Sequence, residues 1–131
     1  MADAAVYRRR VILEFLLHQM KRLLQLNEPF SVLLIKWLPQ DPESHDEDQP
    51  AKWLMHLKGS LRDVDLIGQL ADVLYVVLLP CSKRPEAEAL RQRIENELGP
   101  TSPLALTALE IKERRDLAGV LAGLAERASA E

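Results

Sequence analysis

Thiols are nearly absent from this 131-residue chain, which has one cysteine, Cys81. A single thiol excludes an internal disulfide and a cysteine-based zinc cluster, and a reducing cytoplasm is the simplest home for it. Long apolar runs are missing as well, and none approaches the roughly 20 residues of a membrane span. The N-terminus begins acidic and continues into Arg8-Arg9-Arg10, but no small-residue cleavage site follows the apolar stretch, so no secretory signal is read. There is no excess of positive charge either. A net charge of −3 argues against wholesale binding of duplex nucleic acid. It leaves room for a small anionic ligand held by a few local arginines. Internal repeats and a dividing linker are also lacking, so residues 1 to 131 read as one domain. What is present, 47% hydrophobic and 28% charged residues, is the composition of a globular protein with a real core.

The apolar spacing predicts a long amphipathic helix over residues 4 to 26. Val11, Ile12, Phe15, Leu16, Leu23 and Leu24 form its inner stripe, and Asn27 and Pro29 end it. Phe30 to Trp37 is a short apolar run with β-branched members, hence a first strand. Residues 38 to 50 carry three prolines and five acids, a loop composition. The acids around His45 read as a solvated loop rather than a metal site. Residues 51 to 61 predict a second helix with Trp53, Leu54, Leu57 and Leu61 inside. Two strands follow, Leu66 to Leu70 and Val73 to Leu79, joined by a hairpin at Ala71-Asp72. The second is apolar at every position, the pattern of a central strand covered on both faces. Pro80 to Pro85 reads as a turn and Glu86 to Leu98 as a helix with Ala87, Leu90, Ile94 and Leu98 inward. Leu104 to Ile111 is a fourth strand and Asp116 to Ala128 a last helix. The order is α-β-α-β-β-α-β-α, and its middle is βαββαβ, the ferredoxin-like arrangement. The expected class is α+β, with a four-stranded antiparallel sheet flanked by helices.

In this order the residues resemble a GGDEF domain, the diguanylate cyclase fold, in shortened and degenerate form. Tyr7-Arg8-Arg9-Arg10 resembles the family's N-R-R-x-F opening, and Ser31 to Ile35 the strand leading to its first metal-binding aspartate. Arg62-Asp63-Val64-Asp65 is similar to the R-x-x-D inhibitory-site motif. Five residues on, Ala71-Asp72-Val73-Leu74-Tyr75 stands in the place of the GGDEF signature. Tyr75 to Pro80 resembles the F-x-x-L-L-P continuation, and Arg93-Ile94 falls in the R-I place of the following helix.

The departures decide what the resemblance implies. An active cyclase cradles GTP phosphates on glycines, which permit close backbone approach, and holds Mg²⁺ with carboxylate oxygens. Here Ala71 and Asp72 replace the glycines, Val73 and Leu74 replace the acids, and Lys36 stands at the first-strand aspartate. The expectation is therefore no enzyme, no metal and no cofactor. The inhibitory site, by contrast, keeps its residue types. The resemblance implies that Arg62, Asp65 and Arg93 bind cyclic di-GMP as a regulatory ligand. Arginine can pair with a phosphate or with a guanine edge and can stack on the base, while an aspartate can accept from guanine N–H groups. The implied role is a receptor that controls a protein partner such as exopolysaccharide synthesis machinery, with a constitutive or ligand-induced homodimer expected. The membrane segments and sensory domain of a Pel-type polysaccharide receptor are not in this sequence, so it reads as a fragment or a stand-alone form. The alternative is a ligand-free interaction or dimerisation module.

Overall fold

In a computed structural model, the protein is described at residues 6–37, 54–55, 57–71, 73–99, 104–113, 115–116 and 118–119. The elements are α1 (Arg9–Leu26), β1 (Phe30–Trp37), β2 (Leu66–Ala71), β3 (Leu74–Pro80), α2 (Arg84–Leu98) and β4 (Leu104–Ile111). Residues 54–55 and 57–58 are helical and precede β2. The strands form one four-stranded sheet in the order β2-β3-β1-β4, with every neighbouring pair antiparallel. This is the α+β, ferredoxin-like sheet that the βαββαβ order predicts.

The two central strands explain why the sheet sits inside the molecule. Side chains alternate across a strand, and β1 and β3 are apolar in both phases. Val32 and Leu34, with Leu74, Val76 and Leu78, join Ile12, Leu16, Met20 and Leu23 of α1 in one buried cluster. Leu33 and Ile35, with Tyr75, Val77 and Leu79, join Leu57 and the inward face of α2, Ala87, Leu90 and Ile94, in a second cluster. Helices thus cover both faces, and the apolar area removed from water on each side is the main term holding the layers together.

Several boundaries differ from the sequence expectation, each for an identifiable reason. Helix α1 starts at Arg9, not residue 4, because the backbone of Tyr7 is engaged elsewhere. The Tyr7 N–H donates to Ile67 O and the Gln69 N–H to Tyr7 O, both at 2.9 Å, so residue 7 bridges Gly68 in parallel. Gly68 also lets α1 close onto β2, since a Cβ there would lie 2.4 Å from Ile12 Cβ. The other end of α1 is as expected: Asn27 adopts a left-handed conformation, φ 56°, and its N–H returns to Leu23 O at 3.0 Å. Leu24, read as part of the inner stripe, is 51% exposed. Its place on the helix lies off the arc of Ile12, Leu16, Met20 and Leu23.

The predicted second helix stops before Leu61. Gly59 and Ser60 form a turn, with Ser60 N–H donating to Leu57 O and Leu61 N–H to Lys58 O. The β2–β3 turn is displaced by one residue, since Ala71 still pairs with Leu74 after a register shift beyond Gln69. Pro80 is not in a turn but ends β3, paired with Phe30. A proline is tolerated there because a strand terminus needs no further N–H donor. Helix α2 starts at Arg84, two residues early, because Glu86 accepts the Lys83 N–H at 3.0 Å and closes the first turn. The acidic loop at residues 38 to 50, Trp53, and most of the predicted last helix lie outside the described residues; 115–116 and 118–119 are helical.

Candidate ligand cleft at the Arg62–Arg93 end of the sheet

The turn at residues 62 to 65 is closed by its own side chains. Asp65 N–H donates to Arg62 O at 3.0 Å, and Arg62 N–H donates back to Asp65 Oδ2 at 2.8 Å. The Arg62 guanidinium then folds onto the same carboxylate. Nε lies 3.1 Å from Oδ1 and 3.2 Å from Oδ2, and Nη2 lies 2.8 Å from Oδ1. Nη2 also donates to Pro80 O at 3.1 Å and to Ser82 Oγ at 2.8 Å. The Asp65 side chain is 3% exposed and that of Arg62 is 52% exposed. The aspartate is therefore enclosed, and the arginine is fixed on one side and open on the other. Hydrogen bonding to Asp65 pushes the Arg62 guanidinium pKa up from its already high value, against the desolvation that lowers it; the Asp65 and Glu86 charges add to the rise.

Ser82 is what steadies this arrangement. It is 2% exposed, and its Oγ donates to Pro80 O at 3.2 Å while accepting from Arg62. Its carbonyl accepts from Ser31 Oγ, on the buried central strand, at 2.9 Å. Cys81, between Pro80 and Ser82, has a positive φ of 57°. The reversal it makes lets both the Pro80 carbonyl and the Ser82 hydroxyl face Arg62.

Arg93 reaches the same place from α2, where its Nη2 donates to Ser60 O at 2.6 Å. Glu86, Ala89, Leu90 and Arg93 follow at helical spacing and so share one side of α2. With Ser60, Arg62, Asp65, Leu79 and Ser82 they line a cleft of about 360 Å³. That volume falls at the lower end of the range for small-molecule sites. The three residues expected at an inhibitory-type site are thus brought together. Ser60, Ser82 and Glu86, which the sequence reading did not include, join them. The signal for Glu86 was present, since a glutamate three residues after the residue preceding a helix often caps it. Ser82 had no comparable signal.

Ala71 and Val73 to Tyr75, of the five residues expected in the signature position, lie at the other end of the hairpin. Ala71 ends β2 and Val73 O accepts the Trp37 N–H at 2.7 Å; Asp72 lies outside the described residues. Leu74 is 3% exposed in the α1-side cluster, and Tyr75 is 8% exposed in the opposite one. Lys36 stands on β1 opposite Leu74. Among the described residues, no group of three or more His, Cys, Asp or Glu is placed to hold a metal ion. No helix among them is long and apolar enough to cross a membrane.

The fold has solved counterparts. A DGC protein from Thermotoga maritima superposes with a TM-score of 0.79 at 20% identity, over 98% of this chain and 98% of that one. The FimX GGDEF domain from Pseudomonas aeruginosa gives 0.68 at 14% identity, over 99% of this chain and 93% of that one. The fold is that of a GGDEF domain. The diguanylate cyclase SiaD from Pseudomonas aeruginosa, solved in complex with its activator SiaC, gives 0.71 at 16% identity, over 99% of this chain and 55% of that one. No family model and no curated protein matches the sequence itself. In the GGDEF fold seen here, β2 and β3 carry an apolar tip at one end and the polar cleft at the other.

Proposed function

We propose that this GGDEF-fold domain is a non-catalytic receptor. It binds cyclic di-GMP in the Arg62–Arg93 cleft and passes the occupancy on to a protein partner. The observation that carries this reading is the convergence of Arg62, Asp65 and Arg93 on one cleft. Two guanidinium groups on opposite elements can meet a phosphate or the acceptor edge of a guanine. The apolar Leu79 and Leu90 beside them offer a surface for a base. Val73 and Leu74 support the non-catalytic half, since neither side chain has an oxygen for Mg²⁺. Exopolysaccharide synthesis machinery is the partner class that the sequence resemblance implies. The SiaD–SiaC complex supports a protein partner, since SiaD, part of which has this fold, was solved with its activator.

Calorimetric titration of the chain with cyclic di-GMP tests the reading. Micromolar or tighter binding is expected, lost in both Arg62→Ala and Arg93→Ala. Absence of binding by the folded wild type would sink it. Protein-dependent synthesis of cyclic di-GMP from GTP and Mg²⁺ would overturn the non-catalytic part.

One observation favours a second reading, a ligand-free interaction module. Arg62 is already satisfied by Asp65, Pro80 O and Ser82, and Arg93 by Ser60 O. In that case both arginine variants would leave every ligand response unchanged.

A further inference from the structure

The sheet has two edges, and one of them is covered. At the β2 edge Tyr7 takes up the backbone, its N–H donating to Ile67 O and its carbonyl accepting from Gln69 N–H. β4 forms the other edge. It pairs with β1 on one side, and among the described residues no strand lies on its outer side. Along an antiparallel strand, alternate residues turn their N–H and C=O away from the partner, so the outer edge presents a row of donors and acceptors. Natural edges of this kind are blunted by proline, lysine or a bulge. β4, with the sequence LALTALEI, has no proline and no lysine, and it follows β1 from Leu104 to Ile111 without a register shift. Its one charge, Glu110, is drawn to the first turn of α2, where Oε1 accepts the Arg84 N–H at 2.7 Å. Ala105 and Thr107 are exposed on the face that α1 shares, and side chains this small leave the edge open to approach.

We propose that the β4 edge is a dimer interface, and that its occupant is β4 of a second copy of this chain, paired antiparallel about a two-fold axis at Thr107. The pattern of the strand itself points to a second copy. A two-fold axis perpendicular to the sheet keeps each face continuous, so only residues of the same face can stand opposite each other. Centred on Thr107, the pairing sets Leu106 against Ala108 of the second copy and Ala105 against Leu109. Each large side chain thus meets a small one, on both faces, and Thr107 meets Thr107. Opposed threonines are a favourable cross-strand pair. The two Glu110 carboxylates fall at opposite ends of the new ladder, where they do not repel. The two four-stranded sheets become one sheet of eight strands. This association needs no ligand, and it leaves the Arg62–Arg93 cleft, at the end of the sheet where β3 runs into α2, free in both copies.

Sedimentation of the whole, ligand-free chain over a range of concentrations tests the interface. The wild type is expected to reach the mass of a dimer. Thr107→Lys sets two ammonium groups against each other on the axis and is expected to weaken the dimer about tenfold or more, the least that opposed like charges cost at an interface. Its circular dichroism spectrum stays that of the wild type, because Thr107 is exposed. Cross-linking fixes the register. In a Cys81→Ser background, Thr107→Cys brings two thiols together across the axis, with opposed Cα atoms about 4.5–5.5 Å apart, within the range of a disulfide. It is expected to form a covalent dimer on mild oxidation. Ala105→Cys places its two thiols about 13 Å apart along the ladder and is expected not to cross-link. A wild type that stays monomeric overturns the proposal. So does a dimer that Thr107→Lys leaves at full strength, or one in which Ala105→Cys cross-links as readily as Thr107→Cys.

Discussion

The two ends of the β2–β3 hairpin have been treated in opposite ways. At the tip, Leu74 and Tyr75 point into the two apolar clusters. At the other end, roughly 20 Å away by the rise of a strand, polar side chains crowd together. Arg62, Asp65, Ser82 and the Pro80 carbonyl form a closed set of hydrogen bonds. Leu74 stabilises the fold by being buried. Arg62 and Asp65 stabilise it only if their mutual bonds outweigh the cost of enclosing a carboxylate. An apolar end tolerates no charge, and a networked end tolerates no missing partner.

The sharpest way to break this contrast is to put an acid at the tip. Leu74→Glu would bury a carboxylate between α1 and the sheet, with Lys36, opposite it on β1, as the cation in register. A loss of about 2–4 kcal/mol in urea unfolding is expected, because desolvation of a buried charge exceeds what one pair returns. A wild-type midpoint at neutral pH would mean the tip opens readily and is not part of the core. At the networked end, Asp65→Asn keeps the volume but removes the charge that anchors Arg62. The expected loss is about 1–2 kcal/mol, kept at the low end of charged hydrogen bonds because Arg62 is half exposed. An unchanged midpoint would show that the network contributes no stability.

The smallest effect comes from a pair with the same chemistry in the open. Arg22 donates to both Glu28 oxygens at 2.7 Å, but the two side chains are 42% and 29% exposed. The hydrogen bonds from Arg22 hold the Glu28 carboxyl below its ordinary range, with burial opposing and the Arg22 charge adding. A lowered folded-state pKa places the pair's contribution above the ordinary carboxylate range and removes it as pH falls through the lowered value. The urea midpoints of wild type and Glu28→Gln should therefore differ slightly at pH 7 and converge in acid. A gap that persists in acid would assign the difference to something other than the charge.

The fold was legible because its strands are. β1 and β4 were predicted residue for residue, since Phe30–Trp37 lies between Pro29 and Pro39 and Leu104–Ile111 lies between Pro103 and a run of charged residues. The apolar run of β3 announced its two-sided burial. Two of the misplaced boundaries trace to bonds between distant residues: Tyr7 to Gly68 at the start of α1, and Pro80 to Phe30 at the end of β3. Periodicity reports nothing of such pairings. The candidate site was partly legible for the same reason. Arg62 and Asp65 are close in sequence, and Arg93 came from a resemblance in spacing. Ser82 matters through a left-handed Cys81 and a bond to Ser31, and neither is written in any local pattern. The enclosure of Asp65 was equally invisible, because burial of a carboxylate depends on which side chain folds over it.

The parallel bridge between Tyr7 and Gly68 sets the direction in which the chain enters the molecule. Running alongside β2, the backbone at Val6 lies toward the Leu66 end of that strand, beside the turn that carries Arg62 and Asp65. Entry point and cleft therefore share one end of the domain, and the hairpin tip occupies the other. A pull on the chain at Val6 would load the Tyr7–Ile67 and Tyr7–Gln69 hydrogen bonds along their strand, in shear rather than by peeling. Mechanical input at the N-terminal side and occupancy of the cleft would act on the same few residues of β2.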